Sequence, residues 1–283
     1  MDIRDSMTIE REGLHWIHYK TRSAVSYVKN AFEEDLLKKV YEFLKKSEKD
    51  SNYVWIEEGG KPNSKRKTAY WGTVPYEYGT KTKKYYHAPY VNRWERNFLK
   101  LFKYTNRYSD QNYNSALVNK YANGEVGLPA HQDDERVLDK DTPISTISLG
   151  ATRKMTMSGL YGEGSPTSGL EFKFILENNS MLVFNNATNT HFRHGIEMDS
   201  EIGECRYSIT LREMKGGEMP YMEEWEIEKP LTITELAAIQ EEKDKGTYEK
   251  PKNKKKKQIY RDPPNPNAPN KPLIIRPGMK RNN

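Results

Sequence analysis

Cysteine is nearly absent from this sequence of 283 residues, since Cys205 is the only one. A single cysteine excludes an internal disulfide framework and a zinc site built on cysteine ligands. The chain also lacks any apolar run of about 18 residues, which argues against a membrane-spanning helix. The initial stretch MDIRDSMTIEREG lacks the apolar segment of a secretory signal, so we expect an intracellular protein, cytoplasmic or nuclear.

Excess positive charge is confined to the C-terminal end. Residues 247–283 contain 11 Lys/Arg and two acids, a net charge of +9. The whole chain has 46 basic and 40 acidic residues. Residues 1–246 therefore contain 35 basic and 38 acidic residues, a net charge of −3. Prolines and a lysine run at 254–257 predict that this basic tail is disordered. It is a candidate nucleic-acid contact or nuclear signal, and a solvated linker is the plain alternative.

Hydrophobic patterns separate predicted helices from a strand-rich region. Residues 30–51 predict an amphipathic helix, with Asn30 as its cap and Glu33 three residues on. A second helix is predicted over residues 91–104. Short strands separated by turns follow between residues 113 and 212, namely ALVNKY, ISTISLG, KMTM, EFKFIL, SMLVF and RYSITLR. Strands at this spacing favour a β-sandwich or barrel over a parallel α/β sheet.

These patterns suggest one main domain with appendages. We expect an N-terminal extension over residues 1–29 and the main domain over residues 30–230. A further helix is predicted at 231–246, where Thr232 and Glu235 form a possible capping box. The basic tail occupies residues 247–283.

Two short motifs contain potential metal ligands. In PAHQDDERVL, His131 and Asp133 are two residues apart and project from the same face of a strand. HFRHGI supplies His194, with His191 as a competing histidine three residues earlier. Two histidines and one carboxylate can occupy one face of an octahedral iron, as in non-haem Fe(II) oxygenases. A solvated turn remains the plain alternative for PAHQDDERVL alone, and Asp134, which points away from Asp133, is expected in solvent.

A third motif suits a dicarboxylate ligand. In RYSITLR, alternate residues on one strand face are polar, and these are Arg206, Ser208, Thr210 and Arg212. NKY likewise aligns Asn119 and Tyr121. The planar guanidinium of arginine binds a carboxylate through two parallel hydrogen bonds, which lysine cannot do.

Five motifs resemble, in their order and spacing, those of the AlkB family of Fe(II)/2-oxoglutarate-dependent dioxygenases. They are NKYANGE, HQDDE, ISLG, NNSMLVFNNATNTHFRHGI and RYSITLR. The resemblance covers residues 113–212, and residues 20–112 more loosely through KRKTAYWGTVPYEYG. It implies a mainly β fold with flanking helices and a double-stranded β-helix (jelly-roll) core. It also implies oxidative removal of N-methyl groups from nucleic-acid bases, with Fe(II), 2-oxoglutarate and O2 required and formaldehyde, succinate and CO2 released.

The resemblance assigns roles by motif position. The implied iron ligands are His131, Asp133 and His194. The implied contacts to 2-oxoglutarate are Asn119, Tyr121, Arg206, Ser208 and Arg212. Family members often carry asparagine at the position of Ser208, and one extra residue separates Asn119 from His131, which the loop ANGEVGLPA can absorb.

Basic and aromatic residues are interleaved over residues 61–90, a composition that suits backbone tracking and base stacking. In relatives the corresponding region forms a nucleotide-recognition lid, and an acid near position 135 contacts the target base. The predicted substrate-binding residues are Arg66, Trp71, Tyr76, Tyr78 and Glu135. For any single aromatic residue, packing in the ordinary core is an equally good interpretation. For Glu135, a plain salt bridge is an equally good interpretation.

The leading hypothesis is therefore a monomeric enzyme, not associated with a membrane, that demethylates RNA or single-stranded DNA in repair or RNA demethylation. Single strands are preferred because the lid and tail offer charge for a backbone without an element that reads a duplex. One alternative is oxidation of a protein side chain by the same chemistry. Another is a non-catalytic nucleic-acid-binding module on the same shell, against which the complete set of ligands and arginines argues.

Overall fold

The computed structural model describes residues 8–9, 14–58, 66–79, 84–89, 92–162 and 164–220. The chain divides into two units, Met1–Pro230 and Leu231–Asn283, and every described residue belongs to the first. The predicted helix at 231–246 and the basic tail therefore lie outside the described residues. Among the residues described, no helix is long and apolar enough to cross a membrane.

Strands outnumber helices in the described part of the chain. The helices are α1 (Glu34–Ser47), α2 (Arg96–Ser109) and α3 (Asn186–His191). The strands are, in chain order, β1 (Thr8–Ile9), β2 (Leu14–His18), β3 (Ser23–Val28), β4 (Ile56–Glu57), β5 (Lys67–Trp71), β6 (Tyr76–Gly79), β7 (Lys84–His87), β8 (Ser115–Tyr121), β9 (Leu128–His131), β10 (Ile144–Gly150), β11 (Arg153–Gly159), β12 (Glu171–Leu176), β13 (Ser180–Phe184), β14 (Phe192–Ile196) and β15 (Arg206–Arg212).

The strands form two sheets and one separate hairpin. Eight strands are ordered β2-β3-β13-β10-β15-β8-β5-β4, and five are ordered β1-β12-β11-β14-β9. The hairpin pairs β6 with β7. Strand pairs are antiparallel apart from β1 with β12, which are parallel. Two antiparallel sheets with flanking helices are the architecture expected of the predicted jelly roll.

Because side chains alternate along a strand, the two faces of the eight-stranded sheet differ in polarity and in what they contact. Apolar residues of β8 and β15, among them Val118, Tyr207 and Ile209, pack with α1 and α2 in one hydrophobic cluster. The intervening residues face the five-stranded sheet, and they are Asn119, Tyr121, Arg206, Ser208, Thr210 and Arg212. The strand RYSITLR therefore has the predicted polar face, on the side away from the helices.

A second hydrophobic cluster joins the two sheets. It combines Tyr27 and Phe184 from the eight-stranded sheet with Met155, Phe174 and Phe192 from the five-stranded sheet. Burial of side chains this large contributes about 1.5–3 kcal/mol each, so the cluster is a main source of sheet packing.

The first helix begins four residues later than predicted. Asn30 has a left-handed backbone (φ 49°) instead of capping the helix, and Glu33 occupies the cap position without a side-chain hydrogen bond. The segment before the helix is bound elsewhere, since the side-chain amide of Asn179 accepts from the Phe32 N–H and donates to the Phe32 carbonyl. This tertiary contact replaces the predicted cap at Asn30.

The second helix is also displaced along the chain, from the predicted 91–104 to Arg96–Ser109. The Glu95 carboxylate caps it by accepting from the Asn97 and Phe98 N–H groups. The helix ends at Ser109, because the next residue, Asp110, has a left-handed backbone (φ 52°). The caps at Glu95 and Asp110 therefore determine where this helix begins and ends.

Residues of the predicted N-terminal extension belong to the eight-stranded sheet. β2 pairs with β3, and β3 pairs with β13. The Ala24 N–H also donates to the side chains of Asn185 and Thr188 at the start of α3. The extension thus supports the polypeptide that leads into β14.

Trp71 is a core residue, and its predicted contact with substrate is wrong. Its side chain is 0% exposed and packs edge-to-face against Phe98, 4.9 Å between ring centroids. The indole N–H donates to the Arg93 carbonyl at 3.0 Å. Trp71 therefore points to the helix side of the eight-stranded sheet.

We expect Trp71→Ala to lower the free energy of unfolding by about 3–5 kcal/mol, because it leaves a large cavity beside α2. Trp71→Phe retains a ring and removes mainly the hydrogen bond to Arg93, so its effect should be smaller. Urea denaturation followed by circular dichroism measures both. A Trp71→Ala protein of unchanged stability but weakened nucleic-acid binding would contradict the core assignment.

Candidate active site

β9 and β14 bring two of the predicted metal ligands side by side. His194 on β14 is the register partner of His131 at the end of β9, and their ring centroids are 4.4 Å apart. Asp133 lies two residues beyond β9 and is almost completely buried. Ligand atoms of these three residues all lie within 4.8 Å of one another. Across the described ranges, no second group of three or more His, Cys, Asp or Glu residues comes together in this way.

His191, the competing histidine, lies at the end of α3 and is not a member of this group. Its carbonyl accepts hydrogen bonds from the Leu160 N–H and the Thr167 hydroxyl. The geometry therefore favours His194.

A close approach of two backbones allows the histidines to meet. A Cβ atom at Gly195 would lie 2.7 Å from the Leu128 carbonyl oxygen and 3.0 Å from the Ala130 nitrogen. The strand register also shifts between His194 and Ile196, which indicates a β-bulge beside the ligands. Glycine at 195 is therefore required for β14 to lie this close to β9.

The imidazole of His131 is oriented for metal binding. Its Nδ1 lies 3.0 Å from the Pro129 carbonyl, which can only accept, so Nδ1 carries a proton. Its Nε2 lies 3.6 Å from Asp133 Oδ1. Burial opposes the charge of the ring, but the hydrogen bond and charge of Asp133 outweigh it and raise the pKa of His131. A metal ion would take the place of the proton between these two residues.

The other two ligands are held in their metal-binding forms. Burial lowers the pKa of His194 to about 3, with the neighbouring His131 acting in the same direction, so its ring is neutral. Burial also opposes ionisation of Asp133, but the Arg212 guanidinium holds the pKa of this carboxyl well below its usual range. One buried carboxylate and two imidazoles are thus available together.

Arg212 connects the predicted ligands to the β6–β7 hairpin. Its Nη2 lies 2.9 Å from Asp133 Oδ2, and its Nη1 donates to the Tyr76 hydroxyl at 3.0 Å. That hydroxyl donates to Glu135 Oε1 at 2.5 Å. Burial is the main cause of the raised pKa of Glu135, and repulsion from the Asp133 carboxylate raises this pKa further. Arg212, predicted to contact 2-oxoglutarate, is thus paired with a predicted metal ligand.

Arg206 is a buried cation without a carboxylate partner among the described residues. It is 0% exposed, and burial lowers its pKa to about 10. Its Nη2 donates to the Ser148 hydroxyl at 2.9 Å, and its guanidinium lies 5.2 Å from the centre of the Tyr121 ring. In the part of the chain that the structure describes, its Nε and Nη1 have no hydrogen-bond partner. Buried donors of this kind require an acceptor, so the site is incomplete without an anion.

The donor set suits Fe(II) with a dicarboxylate. Two imidazoles and one carboxylate match the facial triad of non-haem iron, and the open guanidinium nitrogens of Arg206 match a carboxylate. Asn119, Tyr121 and Ser208 line the same cleft as the metal-ligand group. The predicted cofactors therefore fit the side chains that the fold brings together.

The cleft over this group has a volume of about 1440 Å³, larger than the roughly 300–1,000 Å³ of a small-molecule pocket. Four of the five predicted substrate-binding residues line it, and they are Arg66, Tyr76, Tyr78 and Glu135. Trp71, in the core, does not. Asp134, expected in solvent, is exposed at its edge.

Stacked aromatic rings form the hairpin side of the cleft. Tyr76 stacks on Tyr70 at 5.3 Å and on Tyr78 at 5.0 Å, and Tyr78 stacks on Tyr85 at 5.4 Å. Burial lowers the pKa of His87, which stacks against Tyr78, to about 4, so this ring is neutral. The stack is buried at Tyr70 and Tyr76 and partly exposed at Tyr78 and Tyr85, so contact of these rings with a base stays a prediction.

Glu58 is a cleft residue that the sequence patterns did not single out. Its carboxylate accepts hydrogen bonds from Arg66 and from the Tyr78 hydroxyl. Tyr78 in turn lies 2.8 Å from the Thr68 hydroxyl. Glu58 follows a two-residue strand in a polar stretch, where no periodic pattern could reveal it. Arg66 is consequently neutralised by an ion pair as well as facing the cleft.

Asn189 on α3 is a second site residue that the sequence patterns did not single out. It binds the turn that contains Asp133. Its side-chain oxygen accepts from the Asp133 N–H at 2.9 Å, and its side-chain nitrogen donates to the Asp133 carbonyl at 2.6 Å. Gln132 donates from its side chain to the carbonyls of Asn189 and Thr190. The only signal in the sequence is the polar run that precedes His194.

The family model described as 2OG-Fe(II) oxygenase superfamily matches residues 24–212, more than half of the chain. The chain belongs to the 2OG-Fe(II) oxygenase superfamily. Membership implies Fe(II), 2-oxoglutarate and O2, as predicted from the motifs, and the three-residue ligand group of this oxygenase is a fitting iron site.

Relatives of this oxygenase confirm the predicted AlkB resemblance. DNA oxidative demethylase ALKBH2 from Bos taurus is 32% identical over 106 residues, 37% of this chain and 38% of that protein. Alpha-ketoglutarate-dependent dioxygenase alkB homolog 3 from Bos taurus is 28% identical over 150 residues, 52% of this chain and 51% of that protein. The chain thus spans about half or less of the length of these curated relatives.

A solved structure confirms the fold. The structure of OsALKBH1 superposes with a TM-score of 0.50 at 16% sequence identity, covering 73% of this chain and 99% of the other. With the superfamily match, this supports the predicted mainly β fold with a jelly-roll core.

We expect Asn189→Ala to weaken metal binding about 10- to 100-fold, because it removes both hydrogen bonds between the Asn189 amide and the Asp133 backbone. Titration with Co²⁺, an air-stable substitute for Fe²⁺, measures the affinity by calorimetry and by the visible absorption of the bound ion. Asn92→Ala is the matched control, since the buried Asn92 amide contacts the Val54 N–H and carbonyl in the same way, away from the ligands. Equal Co²⁺ affinity in both variants would contradict this role.

Proposed function

We propose that this protein is an Fe(II)/2-oxoglutarate-dependent dioxygenase that removes N-methyl groups from bases of RNA or single-stranded DNA. The observation that carries the proposal is the group of His131, Asp133 and His194 beside a buried Arg206 that lacks a carboxylate partner among the described residues, beneath a large aromatic cleft. The similarity to ALKBH2, a DNA oxidative demethylase, supports the same reaction.

The proposed iron ligands are His131, Asp133 and His194. Bound iron with 2-oxoglutarate and O2 supplies the oxidising power, and the products are succinate, CO2, formaldehyde and the unmodified base. Arg206 would bind the distal carboxylate of 2-oxoglutarate. The other proposed contacts to this co-substrate line the same wall, and they are Asn119, Tyr121, Ser208 and Arg212.

The proposed substrate contacts are on the hairpin side of the cleft. Tyr76 and Tyr78 line the cleft within the aromatic stack, and Glu135 offers a buried carboxyl whose pKa is raised by that burial. Such a carboxyl can donate or accept a hydrogen bond at the edge of a base. A target base must leave its stack to enter this cleft, which favours single strands. Arg66, paired with the same Glu58 carboxylate that binds the Tyr78 hydroxyl, would contact the backbone or the base beside the hairpin.

The proposed organisation of the whole protein extends beyond the site residues. The predicted catalytic domain, residues 30–230, would be completed by β2 and β3 of the predicted extension 1–29, since both strands pair into the eight-stranded sheet. Residues 61–90 would form a lid. The helix 231–246 and the basic tail 247–283 would follow the catalytic domain, the tail adding backbone contacts. We propose a monomer that acts in the cytoplasm or nucleus.

The deciding experiment incubates purified protein with Fe(II), 2-oxoglutarate and methylated RNA and DNA oligonucleotides. We expect removal of the methyl group by nucleoside mass spectrometry and an equal amount of succinate. His131→Ala with Asp133→Ala should abolish both, since two of three ligands are removed. Succinate no higher than in this double variant, on every nucleic-acid substrate, would disprove the proposal. Succinate formed only with a methylated peptide would indicate the alternative of protein oxidation.

We expect Arg206→Lys to raise the Kd for 2-oxoglutarate about 10- to 100-fold, because lysine cannot form the paired hydrogen bonds of a guanidinium. Calorimetric titration of 2-oxoglutarate into the Co²⁺-loaded protein measures this change. Co²⁺ affinity is the internal control, since Arg206 contacts none of the three ligands. Wild-type affinity for 2-oxoglutarate in a folded Arg206→Lys protein would exclude Arg206 from the co-substrate site.

A further inference from the structure

The outward face of α2 carries a continuous basic stripe. At about 100° per residue, four basic side chains fall within an arc of about 60° and span about 16 Å along the helix axis. These basic-stripe residues are Arg96, Lys100, Lys103 and Arg107. The opposite face is buried against the eight-stranded sheet through Phe98, Leu101 and Phe102, among others.

α1 shows how an ordinary solvated helix of this protein is composed. Both helices have 14 residues and pack on the same face of the same sheet. α1 contains four lysines and three acids, so that Lys39, for example, pairs with Asp35 at 2.5 Å. α2 contains four basic residues and no acid. Solvation alone therefore does not account for a face of one sign.

The charges of the stripe are not neutralised within the described residues. None of the four forms an ion pair with an acidic side chain that the structure describes. The nearest acids in sequence serve the helix ends, since Glu95 caps the N-terminus and Asp110 ends the last turn. Burial and the charge of Arg107 lower the pKa of Lys103. Like charges at this spacing repel one another, and an external anion would remove that cost.

Aromatic side chains border the stripe. The Lys100 ammonium lies 5.2 Å from the centre of the Tyr104 ring. Tyr108, next to Arg107, is 43% exposed. Basic residues with adjacent aromatic rings are typical of surfaces that bind a single-stranded backbone and stack its bases.

The stripe lies outside the active-site cleft. α2 packs on residues of β8 and β15 that point away from the metal-ligand group, such as Val118 and Ile209. The cleft is lined by alternate residues of the same strands, such as Asn119 and Thr210. A ligand on the stripe is thus separated from the cleft by the thickness of the eight-stranded sheet.

We propose that the α2 stripe is a second nucleic-acid contact, which binds the phosphate backbone of a single strand long enough to extend beyond the active-site cleft. The choice of nucleic acid as partner rests on the proposed function, since the same chain would supply the base and the distant phosphates. Short oligonucleotides would occupy the cleft alone. The stripe therefore discriminates by length and not by the methylated base.

The test compares two full-length variants with four charges removed from one helix each. The stripe variant carries Arg96→Gln, Lys100→Gln, Lys103→Gln and Arg107→Gln. The matched control carries Lys38→Gln, Lys39→Gln, Lys45→Gln and Lys46→Gln on α1. Both change exposed or half-buried side chains, and thermal unfolding verifies that each protein is folded.

Fluorescence anisotropy with unmodified single-stranded RNA of about 40 and about six nucleotides, between 50 and 200 mM salt, measures binding without turnover. We expect the stripe variant to bind the long RNA at least 10-fold more weakly at low salt than the control. The slope of log K against log salt should fall by about 0.7 for each phosphate that the variant no longer binds. Affinity for the short RNA should equal that of the wild type.

Four outcomes would overturn the proposal. The first two are that both variants bind the long RNA equally weakly, or that the stripe variant loses as much affinity for the short RNA as for the long RNA. The third is that the stripe variant binds the long RNA as tightly as the wild type does. The fourth is that poly-glutamate competes with the long RNA as effectively as unlabelled RNA does, which would assign the stripe to an acidic protein partner. Demethylation of a methylated six-nucleotide RNA tests the proposed function separately, and the stripe variant should retain it.

Discussion

The buried ion pair between Arg212 and Asp133 is the contact on which the candidate active site depends. It joins β15 of the eight-stranded sheet to the turn after β9 of the five-stranded sheet. Through its other nitrogen, the same guanidinium binds Tyr76 of the hairpin. A buried charge without a partner destabilises a fold by several kcal/mol, so each of these charges requires the other. Two sheets and the hairpin are thereby aligned around one carboxylate.

The polar residues of the site could be predicted because strand alternation is a strong constraint. Once RYSITLR is a strand with one apolar face, its arginines must share the other face, and the structure has them there. His131 and Asp133 could be grouped for the same reason, although Asp133 lies beyond the end of β9. The distant His194 followed from motif order alone. Its register with His131 is a property of sheet pairing that no local pattern contains.

What could not be predicted depends on contacts between distant segments. Asn30 has the sequence context of a helix cap, but Asn179, far along the chain, binds the backbone at Phe32 and delays the helix. Trp71 lies in a segment whose composition is typical of a stacking platform, but the apolar face of α2 covers its ring. Asn189 and Glu58 act through hydrogen bonds to backbone or side chains that become neighbours only in the folded protein. Local propensity is overridden in each case by tertiary packing.

Gly195 places an unusual restriction on how this site can vary. The two histidine rings meet because the backbones of β9 and β14 approach more closely than a methyl group at 195 would permit. Any side chain there would push the strands apart and separate the imidazole nitrogens while leaving every ligand in the sequence intact. A homologous chain could therefore retain His131, Asp133 and His194 and still be unable to bring their ligand atoms together. Gly195, which has no side chain, is therefore as necessary for the geometry of this site as the three residues that supply the ligand atoms.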